Sequence, residues 1–196
     1  MSVIIDTGCA NINSLKFALE RLTDDVIVSA DPEIIRSADR VLLPGVGSAA
    51  FAMESLRSRE LVAVIQNLKQ PVLGICLGMQ LLMTHSEEGE ISCLDMIPGN
   101  VKALRTEGLR LPHMGWNTLS VINPHPLFNQ VPADEYFYFV HSYGVEPAEP
   151  SIAQCKYGAP FAAAVSHDNF MGVQFHPERS GEMGARILKN FLEISR

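Results

Sequence analysis

The sequence lacks long apolar segments and clusters of positive charge. No apolar run approaches the ~18 residues that a membrane-spanning helix needs, so we expect no such helix. The first residues, MSVIIDTGCANINS, have no basic start and no long apolar stretch, and they predict a first strand rather than a secretion signal. Lys and Arg number 15 against 22 Asp and Glu, a net charge of -7. Nucleic acids and acidic membranes are therefore not expected partners.

Cysteine pairs with the C-x-x-C spacing are also absent. The four cysteines, Cys9, Cys76, Cys93 and Cys155, stand far apart in the chain, which argues against zinc and thioredoxin-type sites. Without a secretion signal we expect free thiols in a reducing cytoplasm. A free cysteine is usually a small buried apolar residue, so a functional role for any of the four requires further evidence.

The chain has 196 residues, 47% of them hydrophobic, and we expect a single domain over residues 1–196. Its first half alternates continuous apolar strands with amphipathic helices, a pattern typical of a parallel sheet covered on both faces. The strands are SVIID, VIVS, RVLLPG and PVLGI. Asp31 and Pro32 predict the start of one short intervening helix.

The second half is rich in strand patterns separated by turn residues. The segments are NVKAL, NTLSVI, YFYFVHSY, SIAQCKY, FAAAVS and FMGVQF. They predict antiparallel strands added to the parallel sheet. The chain closes with an amphipathic helix in SGEMGARILKNFLEI. The fold class is therefore α/β, a mostly parallel open sheet flanked by helices, with antiparallel strands in the C-terminal half.

Cys76 lies between a buried strand and a helix in VLGICLGMQ, with Gly74 and Gly78 two residues away on each side. This is the spacing of a nucleophile elbow, a strained turn that leaves no room for bulky neighbours. The turn places the sulfur at a helix N-terminus, where free N–H groups favour an anion, and the N–H of Leu77 could bind an oxyanion. The alternative is that both glycines serve only close packing and that Cys76 fills space.

His176 and Glu178 in GVQFHPERS form a candidate base and its orienting carboxylate. Pro177 restricts His176 to extended geometry, and residues two apart in an extended segment face the same way. Glu178 could therefore accept a hydrogen bond from the imidazole. The alternative is a proline turn with a surface His and Glu. Among the other histidines, two could face the site and three are expected to be solvated: His113 and His141, and His85, His125 and His167.

A second glycine turn, LLPGVGSAAFAM, follows another buried strand. Gly45 and Gly47 allow the backbone to approach a ligand, and N–H groups of this loop, including that of Val46, could complete an oxyanion site with Leu77. No GK[ST] follows, so a phosphate-binding P-loop is not expected. A plain tight turn is the alternative.

The ordered triple PGVG, GICLGMQ and QFHPE resembles the triad-type, class I glutamine amidotransferases. The resemblance implies that Cys76 attacks the side-chain amide of glutamine, with His176 as base and acid and Glu178 as its orienter. It implies that Val46 and Leu77 stabilise the oxyanion. It also implies no metal or organic cofactor, and a set of residues that bind glutamine: Gly45, Gly47, Gln80, Ser142 and Tyr143.

Further segments, LPHMGWN, YFYFVHSY and HPERSG, are similar to family members that act as the glutaminase subunit of a synthase in histidine biosynthesis. Such a resemblance implies a heterodimer with a TIM-barrel cyclase subunit that receives the ammonia. The residues near the corresponding motifs are Asn11, Trp116, Tyr136, Tyr138 and Arg179. The N-terminal DTGCAN departs from the family's DYGxGN-like turn at Ala10, and Cys9 is therefore expected to be structural.

Two other functions fit the same residues. A cysteine hydrolase or peptidase on an α/β-hydrolase-like fold would use the same elbow on another ester or amide. A non-catalytic amidotransferase-like binding module would need no nucleophile, and the presence of Cys76, His176 and Glu178 together disfavours it.

Overall fold

The computed structural model describes residues 1–8 and 12–195. Six helices lie in this part of the chain: α1 (Ile12–Glu20), α2 (Pro32–Ser37), α3 (Ala49–Ser58), α4 (Leu61–Gln66), α5 (Leu77–Leu82) and α6 (Gly181–Glu193). None of the helices described is long and apolar enough to cross a membrane. The predicted start of α2 is confirmed, because the Asp31 side chain accepts hydrogen bonds from the backbone N–H groups of Glu33 and Ile34 and Pro32 follows it.

The strands form two sheets. They are β1 (Ser2–Ile5), β2 (Val26–Ser29), β3 (Arg40–Leu43), β4 (Val72–Ile75), β5 (His85–Ser86), β6 (Ile91–Ser92), β7 (Asn100–Ala103), β8 (His113–Val121), β9 (Tyr136–His141), β10 (Tyr143–Val145), β11 (Ser151–Tyr157), β12 (Ala159–His167) and β13 (Phe170–Val173). The larger sheet has nine strands in the order β2-β1-β3-β4-β13-β12-β11-β8-β9, and the smaller one has the order β10-β7-β5-β6.

The predicted fold class is confirmed. Strands β2, β1, β3, β4 and β13 are parallel, whereas β12, β11, β8 and β9 continue the sheet in antiparallel pairs. The prediction that NVKAL joins this sheet is wrong. Residues 100–103 pair instead with β5 and β10 in the smaller sheet, where β10 is the continuation of the YFYFVHSY segment beyond Ser142.

The core lies on both faces of the larger sheet, which explains the uninterrupted apolar strands. In β1, Val3 and Ile5 pack into one buried cluster and Ile4 into the other. Because successive side chains of a strand point to opposite faces, a strand covered on both sides has no polar face. The strands that carry the candidate site, β4 and β13, are both fully buried, so the site rests on strands that are packed on both faces.

Candidate active site

Cys76 lies in a strained turn between β4 and α5. Its backbone has φ 53° and ψ -110°, outside the favoured regions for a residue with a side chain. The Cys76 N–H donates to the Val173 carbonyl at 2.8 Å, which ties the turn to the end of the neighbouring strand β13. The residue is only 8% exposed, but it lines an open cavity. The sulfur is therefore not sealed in the apolar core.

The two flanking glycines allow β4 and α5 to pack in close contact. A Cβ at Gly78 would lie 1.8 Å from the Leu43 carbonyl oxygen, and one at Gly74 would lie 2.6 Å from the Gly78 carbonyl oxygen. Both distances are far below any tolerable contact. Close packing and an accessible sulfur are thus features of the same turn, and they do not exclude each other.

His176 lies just beyond the end of β13, beside the cysteine turn. Parallel pairing of β4 with β13 brings their carboxyl ends to the same edge of the sheet, where open α/β sheets bind ligands. The backbone N–H of His176 donates to the Tyr138 carbonyl at 2.9 Å. Its Nδ1 lies 2.9 Å from Glu178 Oε1, and both side chains are largely buried. The hydrogen bond fixes the orientation of the imidazole ring.

The imidazole of His176 has an unusual protonation equilibrium. Burial lowers its pKa, but hydrogen bonds and charge interactions with Cys76 and then Glu178 outweigh burial and raise the pKa from 6.5 to about 10. The ring is therefore positively charged at neutral pH, between the sulfur on one side and the carboxylate on the other. Such a ring can give a proton to a leaving group.

Two further groups contact the Cys76 sulfur. The Val140 carbonyl oxygen lies 3.7 Å away and can accept a hydrogen bond from the thiol. The Gln174 Nε2 lies 3.7 Å away and can donate one to the sulfur. The sulfur thus has an acceptor suited to its neutral form and a donor suited to its anionic form.

The cavity in front of Cys76 has a volume of about 420 Å³. Most of the predicted site residues line it, as do several that were not predicted. The first set is Val46, Gly47, Cys76, Leu77, Gln80, His141, Ser142, Tyr143, His176 and Arg179, and the second is Glu88, Pro112 and Val140. A volume of this size is suited to a small metabolite.

Other predicted residues lie outside this cavity. Gly45 is buried, with its Cα close to the Gly78 N–H and the Leu77 side chain, and it borders a separate small cavity of about 70 Å³ that also contacts Glu178. Trp116 and Tyr136 are exposed on β8 and β9. Asn11 and Cys9 lie outside the described residues.

A row of side chains connects Arg179 at the cavity with the exposed surface. The Arg179 guanidinium lies 5.3 Å from the centre of the Tyr138 ring, and the Tyr138 ring contacts Trp116 edge to face at 5.9 Å. The other side of β9 belongs to the core, because Phe137 and Phe139 are fully buried. Alternation along the strand thus gives one buried and one accessible face.

The histidine predictions are confirmed for His141, which lines the cavity, and for His167, but not for His85 and His125. His113 and His141 are buried and contact each other, with His113 Nδ1 at 2.9 Å from His141 Nε2. Burial lowers their pKa values to about 4 and about 3. The expectation that His85 and His125 are solvated is wrong: both are half-buried, His85 in β5 and His125 before a short 3₁₀ turn, where it accepts a hydrogen bond from the Leu127 N–H. His167 is half-exposed as expected.

Sequence reasoning missed Gln174 and Glu88. Gln174 stands two residues before His176, so the same period-two rule that paired His176 with Glu178 could have placed it at the site. Glu88 follows the short strand β5, and its carboxylate accepts a hydrogen bond from the Ala49 N–H at 2.8 Å. No local pattern marks Glu88, because only the tertiary fold brings it to the cavity.

The other described cysteines have environments unlike that of Cys76. Burial raises the pKa of the Cys155 thiol to about 12, and burial, partly opposed by the charge of Arg57, raises that of Cys93 to about 11. Thiols of this kind react slowly because little thiolate is present.

Comparisons with known proteins agree with this geometry. The family model for glutamine amidotransferase class-I matches residues 3–194. The chain is 53% identical to imidazole glycerol phosphate synthase subunit HisH of Vibrio cholerae, covering 98% of each chain. It is 54% identical to the subunit of the same name from Idiomarina loihiensis, covering 98% of this chain and 97% of that one.

Solved structures with low sequence identity share the fold. A crystal structure of a glutamine amidotransferase has a TM-score of 0.76 at 16% identity, with 97% of each chain covered. The structure of PurLQS from Thermotoga maritima has a TM-score of 0.69 at 18% identity, with 97% of this chain and 96% of that one covered. With the family match and the close relatives, these findings establish that the chain belongs to the class I glutamine amidotransferases.

Proposed function

We propose that this chain is the glutaminase subunit of an imidazole glycerol phosphate synthase. It hydrolyses glutamine to glutamate and ammonia. The observation that carries the proposal is that Cys76 and His176 line the same open cavity, with His176 hydrogen-bonded to Glu178. The names of its close relatives support the same function.

The reaction begins when the Cys76 sulfur attacks the carboxamide carbon of glutamine. The C–N bond of the resulting tetrahedral intermediate breaks, His176 gives its proton to the leaving nitrogen, and a thioester and ammonia form. His176 then removes a proton from water, which attacks the thioester and releases glutamate. Glu178 orients the imidazole and stabilises its positive charge in both steps.

The oxyanion that forms in each tetrahedral intermediate requires N–H donors. The N–H groups at the start of α5, beginning with that of Leu77, are free of intrahelical partners, and Leu77 lines the cavity next to the nucleophile. Val46 and Gly47 line the same cavity from the opposite loop. We assign Leu77 and Val46 as the two donors.

The cavity offers complementary charges to a free amino acid. The Glu88 carboxylate and the Arg179 guanidinium both line it, and they suit an α-ammonium and an α-carboxylate. Gln80 Nε2 already donates to the Tyr143 carbonyl and to Gln174, which leaves Gln80 Oε1 as the acceptor for substrate. Ser142, Tyr143 and the Gly45–Gly47 loop complete the assignment of the glutamine site.

We assign a TIM-barrel cyclase subunit as the partner in a heterodimer. Free ammonia becomes protonated in water and loses its nucleophilicity, so a glutaminase that serves a synthase needs a sheltered transfer. The accessible face of β8 and β9 carries Trp116, Tyr136 and Tyr138, with Arg179 between them and the cavity. Aromatic residues and Arg are enriched at interfaces. Asn11, which lies outside the described residues, is assigned to the partner interface from its motif alone.

A cysteine hydrolase of another amide or ester remains the second candidate, because the elbow and the His–Glu pair are common to both reactions. Ammonia release from glutamine and hydrolysis of simple esters distinguish the two.

We expect ammonia release that rises when the purified cyclase and its nucleotide ligand are added, and little ester hydrolysis. Preferential ester hydrolysis would overturn the proposed reaction. Equal ammonia release with and without the cyclase, or equal cyclase binding by a Trp116→Ala variant, would count against the proposed coupling.

A further inference from the structure

Gln174 is a fully buried polar residue between the nucleophile and the proposed glutamine site. Its side chain has no solvent exposure. Its Oε1 lies 2.9 Å from Gln80 Nε2, and its Nε2 lies 3.7 Å from Cys76 Sγ. A buried carboxamide is costly unless its polar groups are hydrogen-bonded, so these two contacts define its environment.

The orientation of this carboxamide follows from a chain of hydrogen bonds. The Tyr143 carbonyl oxygen can only accept, so the group of Gln80 that faces it at 2.9 Å must be the Nε2 donor. The same Gln80 Nε2 faces Gln174, so the Gln174 atom opposite must be the Oε1 acceptor. The remaining end of Gln174, which faces the sulfur, must therefore be the Nε2 donor.

The Tyr143 carbonyl, from which these hydrogen bonds were assigned, is itself held in place. His141 Nδ1 lies 2.8 Å from the same Tyr143 carbonyl, so Nδ1 must carry the proton and Nε2 must accept from His113 Nδ1 at 2.9 Å. The Tyr143 carbonyl thus receives two donors and cannot turn to pair with another group. The position of this carbonyl fixes the orientation of the Gln80 carboxamide, which in turn fixes the orientation of the Gln174 carboxamide.

We propose that the Gln174 carboxamide donates a hydrogen bond to the Cys76 sulfur, stabilises it as a thiolate and holds it toward the cavity. It connects the nucleophile to Gln80, so that the residue that binds glutamine and the atom that attacks it share one hydrogen-bonded chain. This inference rests on the proposed function of Cys76. Gln174 would then join Cys76, His176 and Glu178 as a fourth side chain that acts on the reacting sulfur.

Alkylation of Cys76 by iodoacetamide tests the proposal without glutamine. The rate is measured between pH 5 and pH 10 on the full chain, by mass spectrometry of the peptide that contains Cys76. The variants are Gln174→Glu, which keeps the shape and the acceptor toward Gln80 and, when ionised, replaces the donor by a negative charge, and Gln174→Met, which removes donor and acceptor without adding charge. Gln70→Met is the matched control, because Gln70 is also buried and its Nε2 donates to the Ile35 carbonyl, away from the cavity.

We expect the midpoint of the pH–rate curve to move up by about 1–2 pH units in both Gln174 variants, and the rate at pH 7 to fall roughly 10- to 100-fold, as for loss of a hydrogen bond to a charged group. The Gln70→Met curve should match that of the parent. Curves of folded Gln174 variants that also match the parent would overturn the inference. Failure of both variants to fold would overturn it as well, because Gln174 would then serve the fold rather than the sulfur.

Failure of the Gln174 proposal and failure of the proposed function give different experimental results. A glutamine-analogue electrophile that fails to label Cys76 in the parent would refute the function itself. Labelling of the parent together with unchanged alkylation of the Gln174 variants would refute only the role of Gln174.

Discussion

Single residues at the site acquire their chemistry from partners that are distant in the sequence. His176 owes its raised pKa of about 10 to Cys76 and Glu178, whereas burial alone would lower it. His141 shows the opposite balance: burial dominates, the charges of His113 and His176 add to it, and the Tyr143 carbonyl only partly compensates, so its pKa falls to about 3. Two histidines that line one cavity therefore carry different charges at neutral pH.

The low pKa of His141 predicts a loss of stability in acid. In the unfolded chain its pKa is about 6.5, so between pH 7 and pH 5 the unfolded state takes up a proton that the folded state refuses. We expect this residue to lower the free energy of unfolding by on the order of 2 kcal/mol over that interval. A His141→Gln variant should be less stable at pH 7 but should lose less stability on acidification.

Chemical denaturation at pH 7 and pH 5 measures this difference. His167→Gln is a suitable control because His167 is half-exposed and does not line the cavity. If the parent and the His141→Gln variant lost the same free energy of unfolding on acidification, the assignment of a neutral buried His141 would be wrong.

Residues of the candidate site were predictable where a short pattern carries them. Cys76 was recognisable from its two glycines, and Glu178 from its position two residues after His176. Gln174 obeys the same spacing but resembles an ordinary strand residue, because a glutamine is neither a nucleophile nor an ionisable group. Glu88 could not be found, since it reaches the cavity only through the pairing of β5 with β7.

At the level of elements, the β4–α5 turn is the most constrained unit near the site. The Gly78 Cα approaches the end of β3 so closely that a Cβ would lie 1.8 Å from the Leu43 carbonyl oxygen. Both atoms belong to backbone and cannot move like a side chain. Any larger residue at position 78 must therefore displace either the nucleophile turn or the segment that leads into the Gly45–Gly47 loop.

A Gly78→Ala substitution is therefore expected to abolish glutamine hydrolysis or to prevent folding, although the change is a single methyl group. We expect activity to fall by more than about 100-fold, because small misplacements of reacting groups are already that costly. Gly47→Ala is the matched comparison in the other loop. A Cβ there has no neighbour within 4 Å, although its φ of 91° makes the substitution strained.

Circular dichroism and ammonia release from glutamine, measured on both glycine variants, check this prediction. A folded Gly78→Ala protein with the activity of the parent would show that the turn tolerates the extra methyl group. The close approach of α5 to β3 would then have no part in positioning the sulfur.

Elements of the parallel half were more predictable than those of the second half. Continuous apolar strands and a capped helix such as α2 carry local signals, and their order along the chain implies their pairing. The smaller sheet has no such signal. Its strands β5 and β6 have two residues each, and β7 resembles any other short strand, so its placement depends on tertiary contacts rather than on pattern.

For the molecule as a whole, the site lies where the parallel strands end and the antiparallel strands begin. Cys76 follows β4, His176 follows β13, and residues 140–143 come from the end of β9 in the larger sheet and the start of β10 in the smaller one. Strand β9 reaches the site at Tyr138, whose carbonyl accepts a hydrogen bond from the His176 backbone N–H. The proposed transfer of ammonia to a docked partner would start from this part of the molecule. The single domain over residues 1–196 stays a prediction.

The central claim is that the Cys76 sulfur attacks glutamine. Ammonia release by a Cys76→Ala variant, assayed with the cyclase and its nucleotide ligand present, tests it most directly. Cys93→Ala is the control, since Cys93 is buried to the same 8% exposure but does not line the cavity. We predict that Cys76→Ala binds the cyclase normally and releases no ammonia, while Cys93→Ala keeps the parent's activity. Undiminished ammonia release by a folded Cys76→Ala protein would contradict the account.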